Sequence, residues 1–332
     1  MDLQQQLQSI VGNRLLLNEP MAKHTNFRIG GPADRFVVVQ SREEAVAVLH
    51  VLVQSQTPYA VLGGGSNMLV ADAGYRGTVV QIALRRHEIR GEMVVAEAGV
   101  LSAFLARATV DAGLSGFAWA IGLPGTIGGG VRGNAGCYGG EMKDHLASVE
   151  VLLIKDPGTG GVGVEREEWT PAQCAFAYRD SAFKHTEPPP MILSATMRLP
   201  QGDVAAGKVL MQEIIAKRKE KQPLENSSAG CIFKNLSLRG DEDLSALQKD
   251  ADIPQAVLER KQIPIGWLIE QAGLKGFAIG NAQISEKHGN FCVNTGAATA
   301  DQVVQLIAAV KTRIRNTYNL QIQEEIQYLG FV

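Results

Sequence analysis

The sequence predicts a protein of mixed α/β or α+β class with more than one domain. In the first half of the chain, strand-like apolar runs alternate with segments of helical periodicity, which is typical of these classes. The 332 residues exceed what one hydrophobic core normally holds, so two or three domains are expected. The 36 glycines are concentrated in clusters, which indicates tight turns or close approach of the backbone to another group.

Charge and cysteine content exclude several classes of function. The chain has 32 Lys and Arg against 34 Asp and Glu, so its net charge of −2 gives no electrostatic argument for nucleic acid or an anionic membrane. It has neither an apolar run of ~18–20 residues nor a secretory leader pattern, so a cytoplasmic protein is expected. The four cysteines lie far apart and the six histidines are scattered, which argues against a metal site and favours reduced thiols.

The elements of the first half follow from short-range patterns. Residues 35–39 predict a strand, and Ser41 with Glu44 predicts the capped start of a helix. Three more strands are expected at residues 60–62, 78–82 and 93–97. The apolar faces expected for the two helices of this half are Ala45, Val48, Leu49 and Leu52 in the first, and Leu101, Phe104, Leu105 and Ala108 in the second.

The second half begins with turns and glycine from residue 117 to 140. Strands are expected at 149–154 and 191–199, separated by an exposed loop at 157–163, and a helix at 209–218 precedes a domain boundary near 218. Thr299 with Gln302 predicts a second capped helix, and residues 320–330 predict a final strand. The apolar stripe expected for that helix is Val303, Leu306, Ile307, Val310 and Ile314.

Two glycine-rich segments are the first candidates for a binding site. Gly63-Gly64-Gly65-Ser66-Asn67 follows a short strand, so its backbone N–H groups could form an anion nest, although an ordinary strand connection explains this run equally well. Residues 122–136 contain a literal GxGxxG. A Pro-Gly turn precedes that motif and no clear helix follows it, which excludes a Rossmann fingerprint. Two such segments in one domain favour a bound dinucleotide.

The motifs together resemble a known flavoprotein superfamily. GGGSN after a strand, GLPGTIGG followed by GNAG, and HTNFRIGG at 24–31 resemble the FAD-binding domain of the p-cresol-methylhydroxylase type, and more narrowly the UDP-N-acetylenolpyruvoylglucosamine reductase family. The resemblance implies an α+β chain: a two-subdomain FAD-binding module, 1–82 and 83–218, then an α/β substrate domain, 219–332, whose last strand at about 320–332 returns to the first subdomain. It implies that non-covalent FAD is bound by Gly63, Gly64, Gly65, Ser66, Asn67, Gly122, Pro124, Gly125, Thr126, Gly128, Gly129, Asn134 and Ala135.

Three further motifs supply the catalytic candidates. Tyr178-Arg179-Asp180-Ser181 is similar to the family's YRxS segment, which implies a catalytic role for Arg179; alone, it is an ordinary surface arginine. QPL at 222–224 and SAGCIFKN at 228–235 resemble the family's substrate-domain signature. In this family serine is commonest at the position of Cys231, and the resemblance implies that Cys231 is the proton donor. Without the resemblance, the ordinary interpretation of Cys231 is a core thiol. The substrate-binding residues implied by the resemblance are Tyr178, Arg218, Lys221, Lys234, Asn235 and His288.

The C-terminal strand contains two neighbouring glutamates. Alternation puts Glu324 and Glu325 on opposite faces, and periodicity alone does not say which is functional. The family pattern LxPEV aligns Glu325 with the catalytic carboxylate and Glu324 with the usual proline. Two other departures from the family are Leu236 in place of a proline and an apparent insertion at 238–262.

The resemblance implies a complete reaction. NADPH, as co-substrate, reduces bound FAD, and UDP-N-acetylglucosamine enolpyruvate is then reduced to UDP-N-acetylmuramate for peptidoglycan. Arg179 and Glu325 stabilise the charge on the substrate carboxylate and Cys231 donates a proton. The expected partners are these small molecules, with no nucleic acid, metal or membrane, and the protein is expected to be a monomer. The alternatives are another sugar-directed flavin oxidoreductase of the same fold and a non-catalytic nucleotide-binding module.

Overall fold

A computed structural model describes residues 1–155, 163–238, 244–250 and 253–331. Two compact units are present. The first consists of Met1–Glu19, Ala33–Gly64 and Arg76–Arg218, and the second of Pro20–Pro32, Gly65–Tyr75 and Lys219–Val332. The loop expected at 157–163 lies outside the described residues, apart from Gly163, and so does part of the apparent insertion at 238–262.

The described α-helices are α1 (Leu3–Val11), α2 (Arg42–Gln54), α3 (Ser102–Asp111), α4 (Ile127–Gly133), α5 (Pro171–Cys174), α6 (Val204–Lys221), α7 (Ser245–Asp250), α8 (Gln255–Glu259), α9 (Ile265–Gln271) and α10 (Ala300–Tyr318). The described strands are β1 (Leu15–Pro20), β2 (Pro32–Val39), β3 (Tyr59–Leu62), β4 (Met68–Val70), β5 (Tyr75–Ile82), β6 (His87–Arg90), β7 (Met93–Glu97), β8 (Gly136–Cys137), β9 (Gly140–Glu141), β10 (Leu146–Lys155), β11 (Gly163–Trp169), β12 (Met191–Arg198), β13 (Ser227–Cys231), β14 (Leu236–Ser237), β15 (Gln262–Ile263), β16 (Ala278–Ile279), β17 (Ala282–Ile284), β18 (Phe291–Asn294) and β19 (Gln327–Leu329).

The first unit is built on two sheets that fall on either side of residue 82. One has the order β1-β2-β5-β3, with β3 and β5 parallel, and the other has the order β11-β10-β12-β7-β6 and is antiparallel. The sequence prediction for α2 is confirmed, because Ser41 Oγ accepts a hydrogen bond from Glu44 N and the four expected side chains are buried. This cap satisfies a backbone donor that the helix itself leaves unpaired.

The predicted apolar face of α3 was right at Leu105, which is fully buried, and wrong at two other positions. Leu101 precedes the helix and is 56% exposed, and Phe104 is 52% exposed. The buried positions follow the helical period, but small or polar side chains fill several of them, and Ser102 and Thr109 are among these. Selecting apolar residues alone therefore rotated the expected face away from the true one.

The second unit combines a four-stranded sheet with a long helix. The sheet has the order β13-β18-β17-β16, and two short ladders pair β14 with β15 and β19 with β4. The capping box at Thr299 is confirmed, and all five residues of the expected stripe on α10 are buried. Asp72 adds a second cap, because its carboxylate accepts hydrogen bonds from Ala300 N at 2.8 Å and Asp301 N at 3.0 Å.

The C-terminal strand is shorter than expected. Within residues 320–331, only Gln327–Leu329 forms a ladder, in parallel with Met68–Val70, and Tyr328 is 40% exposed. Leu320, Ile322 and Ile326 are buried. The strand that receives β19 lies within residues 1–82, yet it belongs to the second unit.

The second unit includes Lys219–Val332, which begins at the residue expected to start the substrate domain. It also takes in residues 20–32 and 65–75, which the resemblance implied to be part of the first subdomain. Division of the first unit at residue 82 stays a prediction. Across the described ranges, no helix has the length and apolar character needed to cross a membrane.

Candidate active site

In the first unit, the two glycine-rich segments approach each other backbone to backbone. A Cβ on Gly63 would lie 2.7 Å from Thr126 Oγ1, and a Cβ on Gly64 would lie 2.9 Å from the Cα of Gly125. Neither distance leaves room for a side chain, because real Cβ atoms do not come this close to other heavy atoms. The fold thus brings together Gly63, Gly64, Gly125 and Thr126, which the sequence analysis selected from separate motifs.

The second glycine segment is helical, contrary to the expectation that no helix follows the Pro-Gly turn. Within α4, a Cβ on Gly128 would lie 2.7 Å from the Cβ of Ala98, whereas a Cβ on Gly129 would meet only Thr126 Oγ1, at 3.6 Å. Gly128 is buried and Gly129 is exposed. Gly128 is therefore needed for packing, and Gly129 presents bare backbone on the open side of the helix.

Two buried hydroxyl groups near these glycines suit a polar ligand. Within the described part of the chain, Thr126 Oγ1 and Ser102 Oγ have no hydrogen-bond partner, although both are almost completely buried. Ser102 N donates to the carbonyl of Gly125 at 3.1 Å, so both hydroxyls adjoin the same turn. A buried hydroxyl without a partner is costly, and a phosphate oxygen would satisfy it. The residues present therefore fit the diphosphate of FAD.

The GGGSN run spans the division between the units. Gly65, in the second unit, has φ +63°, and any side chain there would overlap the carbonyl of His24. Asn67 Nδ2 donates to the carbonyl of Glu325 at 3.3 Å, and Gln327 N donates to the carbonyl of Asn67 at 3.0 Å. Within its own unit, Asn67 thus lies beside the segment that carries the candidate catalytic glutamate.

Arg179 lies in a tight turn that is firmly held within the first unit. Its φ of +55° is unusual for a residue other than glycine, and Ala177 and Asp180 pair across the turn. Arg179 Nη2 donates to the carbonyl of Gly136 at 2.6 Å, and the guanidinium lies 5.4 Å from the centre of the Tyr178 ring. Strained backbone of this kind persists only where surrounding contacts fix it, and it is common at functional sites.

Asn134 supplies one of those contacts. Its side chain is fully buried, and Nδ2 donates to the carbonyl of Ala177 at 2.8 Å and to Glu141 Oε2 at 2.9 Å, while Oδ1 accepts from Lys143 N. These bonds link the end of α4 to the turn that carries Arg179. Direct contact of Asn134 with the cofactor stays a prediction.

In the second unit, main-chain hydrogen bonds bring three candidate residues close in space. Cys231 ends β13 opposite Phe291, after a bulge at which Gly230 has φ +79°. Glu325 N donates to the carbonyl of Ile232 at 2.7 Å, and Lys234 N donates to the carbonyl of Gln323 at 2.9 Å. The segments that carry Cys231, Lys234 and Glu325 are therefore neighbours, although Glu325 lies 94 residues after Cys231 in the sequence.

The two glutamates have different surroundings. Glu324 pairs with Phe233 in an isolated antiparallel bridge, and its Oε1 accepts a hydrogen bond from Lys311 Nζ of α10 at 2.8 Å. The carboxylate of Glu324 is thus engaged in an ion pair with Lys311 of α10. This arrangement favours Glu325 over Glu324 as the catalytic carboxylate.

The other substrate candidates of the second unit are partly engaged in the fold. Asn235 Oδ1 accepts from Ile265 N at 3.2 Å, at the start of α9. His288 Nδ1 accepts from Asn290 N at 3.2 Å, and its ring packs against Gly266. Burial holds the pKa of His288 below its usual value, so at neutral pH the ring is uncharged and carries its proton on Nε2. It can therefore donate one hydrogen bond to a ligand from Nε2.

The remaining candidates lie on α6 and around it. Arg218 is half-buried and belongs to the first unit, and Lys221 ends the helix, exposed, in the second. Among the described residues, no group of three or more His, Cys, Asp or Glu could hold a metal ion. Sequence reasoning missed Asn290, which contacts the backbone shortly after Cys231; the sequence signal for it was its place two residues after the candidate His288.

Comparisons with known proteins identify the family. The C-terminal domain model of UDP-N-acetylenolpyruvoylglucosamine reductase matches residues 222–329, and an FAD binding domain model matches residues 33–157. UDP-N-acetylenolpyruvoylglucosamine reductase of Caldanaerobacter subterraneus subsp. tengcongensis is 37% identical and aligns over 96% of this chain and 94% of its own length. The protein of the same name from Syntrophomonas wolfei subsp. wolfei is also 37% identical, over 96% of this chain and 95% of its own.

A solved structure agrees with these relatives. The crystal structure of UDP-N-acetylenolpyruvylglucosamine reductase from Thermus caldophilus aligns with a TM-score of 0.72 and 31% identity, covering 95% of this chain and 98% of that one. The resemblance drawn from the motifs is confirmed, as is the expected fold of an FAD-binding module with a C-terminal domain. The chain therefore belongs to the UDP-N-acetylenolpyruvoylglucosamine reductase family and is an FAD-containing oxidoreductase of peptidoglycan precursor synthesis.

Proposed function

We propose that this chain reduces UDP-N-acetylglucosamine enolpyruvate to UDP-N-acetylmuramate, with NADPH as the source of the hydride. Family membership over nearly the whole chain supports the reaction. The observation that supports the assignment of residues is the hydrogen bond from Glu325 N to the carbonyl of Ile232, which makes the segment of Glu325 a neighbour of the segment of Cys231. The overall reaction adds one hydride and one proton across the carbon–carbon double bond of the enol ether.

Arg179 and Glu325 are proposed to act on the charge that develops during hydride addition. When hydride reaches the methylene carbon, the electron pair of the double bond moves onto the adjacent carbon and into the neighbouring carboxylate. A guanidinium is charged at every physiological pH and can donate two parallel hydrogen bonds to a carboxylate. The bond from Arg179 Nη2 to the carbonyl of Gly136 keeps this group in one orientation before substrate arrives, which is how preorganised charge lowers a barrier.

Cys231 is proposed to donate the proton that completes the reaction. The adjacent carbon of the substrate must receive a proton as the electron pair leaves the carboxylate, and a thiol is more acidic than a serine hydroxyl. Cys231 is half-buried and follows a glycine with positive φ, so its backbone position is defined by the bulge in β13. A proton donor must come within about 2.6–3.2 Å of the group that it protonates, so a defined backbone position for Cys231 matters to this step.

The substrate carries a diphosphate and a uracil, and cationic and polar side chains suit both. Arg218, Lys221 and Lys234 are proposed to bind the phosphates, since their charges match and Arg218 and Lys234 are half-buried. Tyr178, Asn235 and His288 are proposed as the remaining contacts. His288 enters this role as a hydrogen-bond donor through Nε2, because its pKa is lowered by burial.

The cofactor is proposed to be non-covalent FAD, held in the first unit by Gly63, Gly64, Gly125, Thr126 and Gly129. Bound FAD supplies the hydride-transfer chemistry, which no protein side chain can perform. The unpartnered hydroxyl of Thr126 and the open backbone at Gly129 are the features of this chain that suit its diphosphate. The enzyme is proposed to act as a monomer in the cytoplasm.

An anaerobic reduction experiment tests the proposal. The purified protein is expected to be yellow, to bleach when NADPH is added under nitrogen, and to regain its colour when UDP-N-acetylglucosamine enolpyruvate follows. The product is then identified as UDP-N-acetylmuramate by mass spectrometry. Bleaching without recovery by this substrate would contradict the proposed reaction, and recovery only on admission of oxygen would indicate a flavin oxidase.

A further inference from the structure

Asn290 is a buried amide directly beside the segment that carries Cys231. It is 4% exposed and immediately precedes β18, whose first residue, Phe291, lies opposite Cys231. Its side chain makes two hydrogen bonds to one residue, since Phe233 N donates to Oδ1 at 2.9 Å and Nδ2 donates to the carbonyl of Phe233 at 2.8 Å. Its own carbonyl accepts from Ile232 N at 2.9 Å.

In this pattern, the side-chain amide of Asn290 takes the place of a peptide group of a neighbouring strand. The β13–β18 ladder ends at Cys231, and beyond that point no backbone of β18 faces Phe233. A primary amide carries the same acceptor and donor as a peptide group, so the side chain of Asn290 continues the ladder for one more residue. Phe233 is 1% exposed, and without Asn290 both of its backbone polar groups would be buried and unpaired.

The opposite side of the same segment is bonded to the C-terminal residues. Ile232 O accepts from Glu325 N, Phe233 bridges to Glu324, and Lys234 N donates to Gln323 O. Residues 232–234 are therefore held between Asn290 and the segment that carries Glu325. A shift of residues 232–234 would move Cys231 at one end and would change the hydrogen bond that places Glu325.

We propose that Asn290 is a positioning residue that fixes Cys231 and Glu325 for reduction of the substrate. It acts through the backbone of Ile232 and Phe233 and has no contact with reacting atoms in this role. The inference rests on the proposed function, because it concerns the groups assigned there as acid and carboxylate. Its consequence is kinetic: a displacement near 1 Å of a catalytic group costs about 100-fold in rate, whereas transfer of hydride from NADPH to FAD needs neither group.

The first test compares two asparagines of the same strand region by stopped-flow measurement of both half-reactions. Asn290→Leu is expected to slow flavin reoxidation by the enolpyruvyl substrate by about 10- to 100-fold and to leave flavin reduction by NADPH within about 2-fold of wild type. Asn294→Leu is the matched control. Asn294 is also bonded through its side chain, to Phe27 O, Gly296 N and Ala298 N, but not to the segment after Cys231. Its reoxidation rate is expected to stay within about 3-fold of wild type.

A second variant keeps the test decisive if Asn290→Leu does not fold. In Asn290→Asp, the protonated carboxyl group has the same donor and acceptor as the amide, whereas the ionised form opposes the carbonyl of Phe233 with negative charge. Burial raises the pKa of such a carboxyl group above its usual value. The ratio of variant to wild-type reoxidation rate is therefore expected to rise at least about 10-fold as pH falls from 8.5 to 5.5.

Other titrating groups near Asn290 contribute to the reoxidation rates of both the variant and the wild type. His288, Glu270 and Lys275 lie on the side of Asn290 that includes α9, and Lys234, Glu324 and Glu325 lie on the other. All six are present in wild type and variant alike, so the ratio removes the part of their titration that the substitution does not change. A flat ratio across this pH range would overturn the positioning role.

Cys231→Ala distinguishes failure of this inference from failure of the proposed function. Slow reoxidation in Cys231→Ala with normal reoxidation in both Asn290 variants would overturn the inference alone. Normal reoxidation in Cys231→Ala would overturn the proposed acid, whatever Asn290 does. An equal loss of both half-reactions in Asn290→Leu would indicate a merely structural residue and would also count against the proposal.

Discussion

At the residue scale, Cys231 is where a packing role and a catalytic role give opposite kinetic results. If it donates the proton, Cys231→Ala slows flavin reoxidation by the enolpyruvyl substrate by about 10²–10⁴-fold, the usual contribution of a positioned acid. Flavin reduction by NADPH is expected to change little, because that step needs no acid on the substrate. Cys231→Ser is expected to retain much of the activity, since a hydroxyl group fits the same place. Stopped-flow absorbance measures both steps.

If Cys231 only fills space, the order of effects changes. Both variants would then turn over normally, and Cys231→Ala would lower the free energy of unfolding by about 1 kcal/mol through loss of the sulfur. Rapid reoxidation in the alanine variant, with a lowered melting temperature, would end the catalytic assignment.

The paired glutamates provide a second residue-scale prediction. Glu325→Gln is expected to slow reoxidation by at least about 10-fold, because an amide cannot share or transfer a proton with the reacting carboxylate as a carboxyl group can. Glu324→Gln loses only the partly exposed ion pair with Lys311, so it is expected to change stability by less than about 1 kcal/mol and the rate hardly at all. Steady-state rates and urea unfolding of the two variants check this. A larger kinetic effect from Glu324→Gln would reverse the assignment.

Individual residues were predictable from sequence only where a motif surrounds them. The motifs selected Arg179, Cys231 and Glu325, but they gave no sign that Asn290 and Asn134 hold the segments on which those residues lie. Asn290 bonds a residue 57 positions away and Asn134 bonds one 43 positions away. Hydrogen bonds over such separations depend on the folded backbone, and local patterns do not encode them.

At the scale of elements, substitutions at two glycines of α4 test cofactor binding separately from folding. Gly129→Val is expected to reduce the FAD content of the purified protein by more than half, because its side chain would enter the open space beside Thr126 Oγ1. Its melting temperature, measured without FAD, is expected to change by only a few degrees, because Gly129 is exposed and valine is no worse a helix former than glycine. Absorbance at about 450 nm gives the flavin content.

Gly128→Ala is the matched control on the same helix. Its Cβ would lie 2.7 Å from that of Ala98, so it is expected to destabilise the first unit by about 1–3 kcal/mol through overpacking. Its FAD loss should follow its loss of stability. A Gly129→Val protein that keeps full stoichiometric FAD would mean that this segment is only a tight packing element.

The elements that sequence predicted well are those with a cap and a sustained period. Both α2 and α10 begin at a Ser or Thr whose side chain accepts from the third helical residue, and both bury the expected stripe. The face of α3 was partly misplaced because serine, alanine and threonine fill three of its five buried positions. The helical state of 127–133 was missed because glycine has a low helix propensity, and here close packing of Gly128 overrides it.

At the scale of the whole molecule, the chain leaves and re-enters each unit several times. Residues 20–32 and 65–75 belong with the C-terminal part because Gly31 N bonds Ala71 O, Ala71 N bonds Leu329 O, and Asp72 caps α10. Local periodicity assigns neighbouring residues to the same domain, so it does not reveal such exchanges. The division between Arg218 and Lys219 falls inside α6, which continues to Lys221, so the end of a helix does not mark it.

The four thiols give a prediction that concerns the entire folded chain. Burial raises the pKa of Cys137 and Cys174 to about 11 and that of Cys292 to about 12. Thiols with such pKa values are ionised to about one part in a thousand or less at pH 8, and the thiolate is the reactive form. In the native protein, one thiol is therefore expected to react within minutes with a colorimetric disulfide reagent, and all four after denaturation. The fast thiol should be Cys231, so the fast reaction should disappear in Cys231→Ser.

The substrate provides a second measurement on the same thiol. UDP-N-acetylglucosamine enolpyruvate is expected to slow the reaction of Cys231 with the reagent at least about 10-fold, because the bound substrate would cover the group that protonates it. Two or more fast thiols, or no protection by the substrate, would contradict the accessible, substrate-facing position assigned to Cys231.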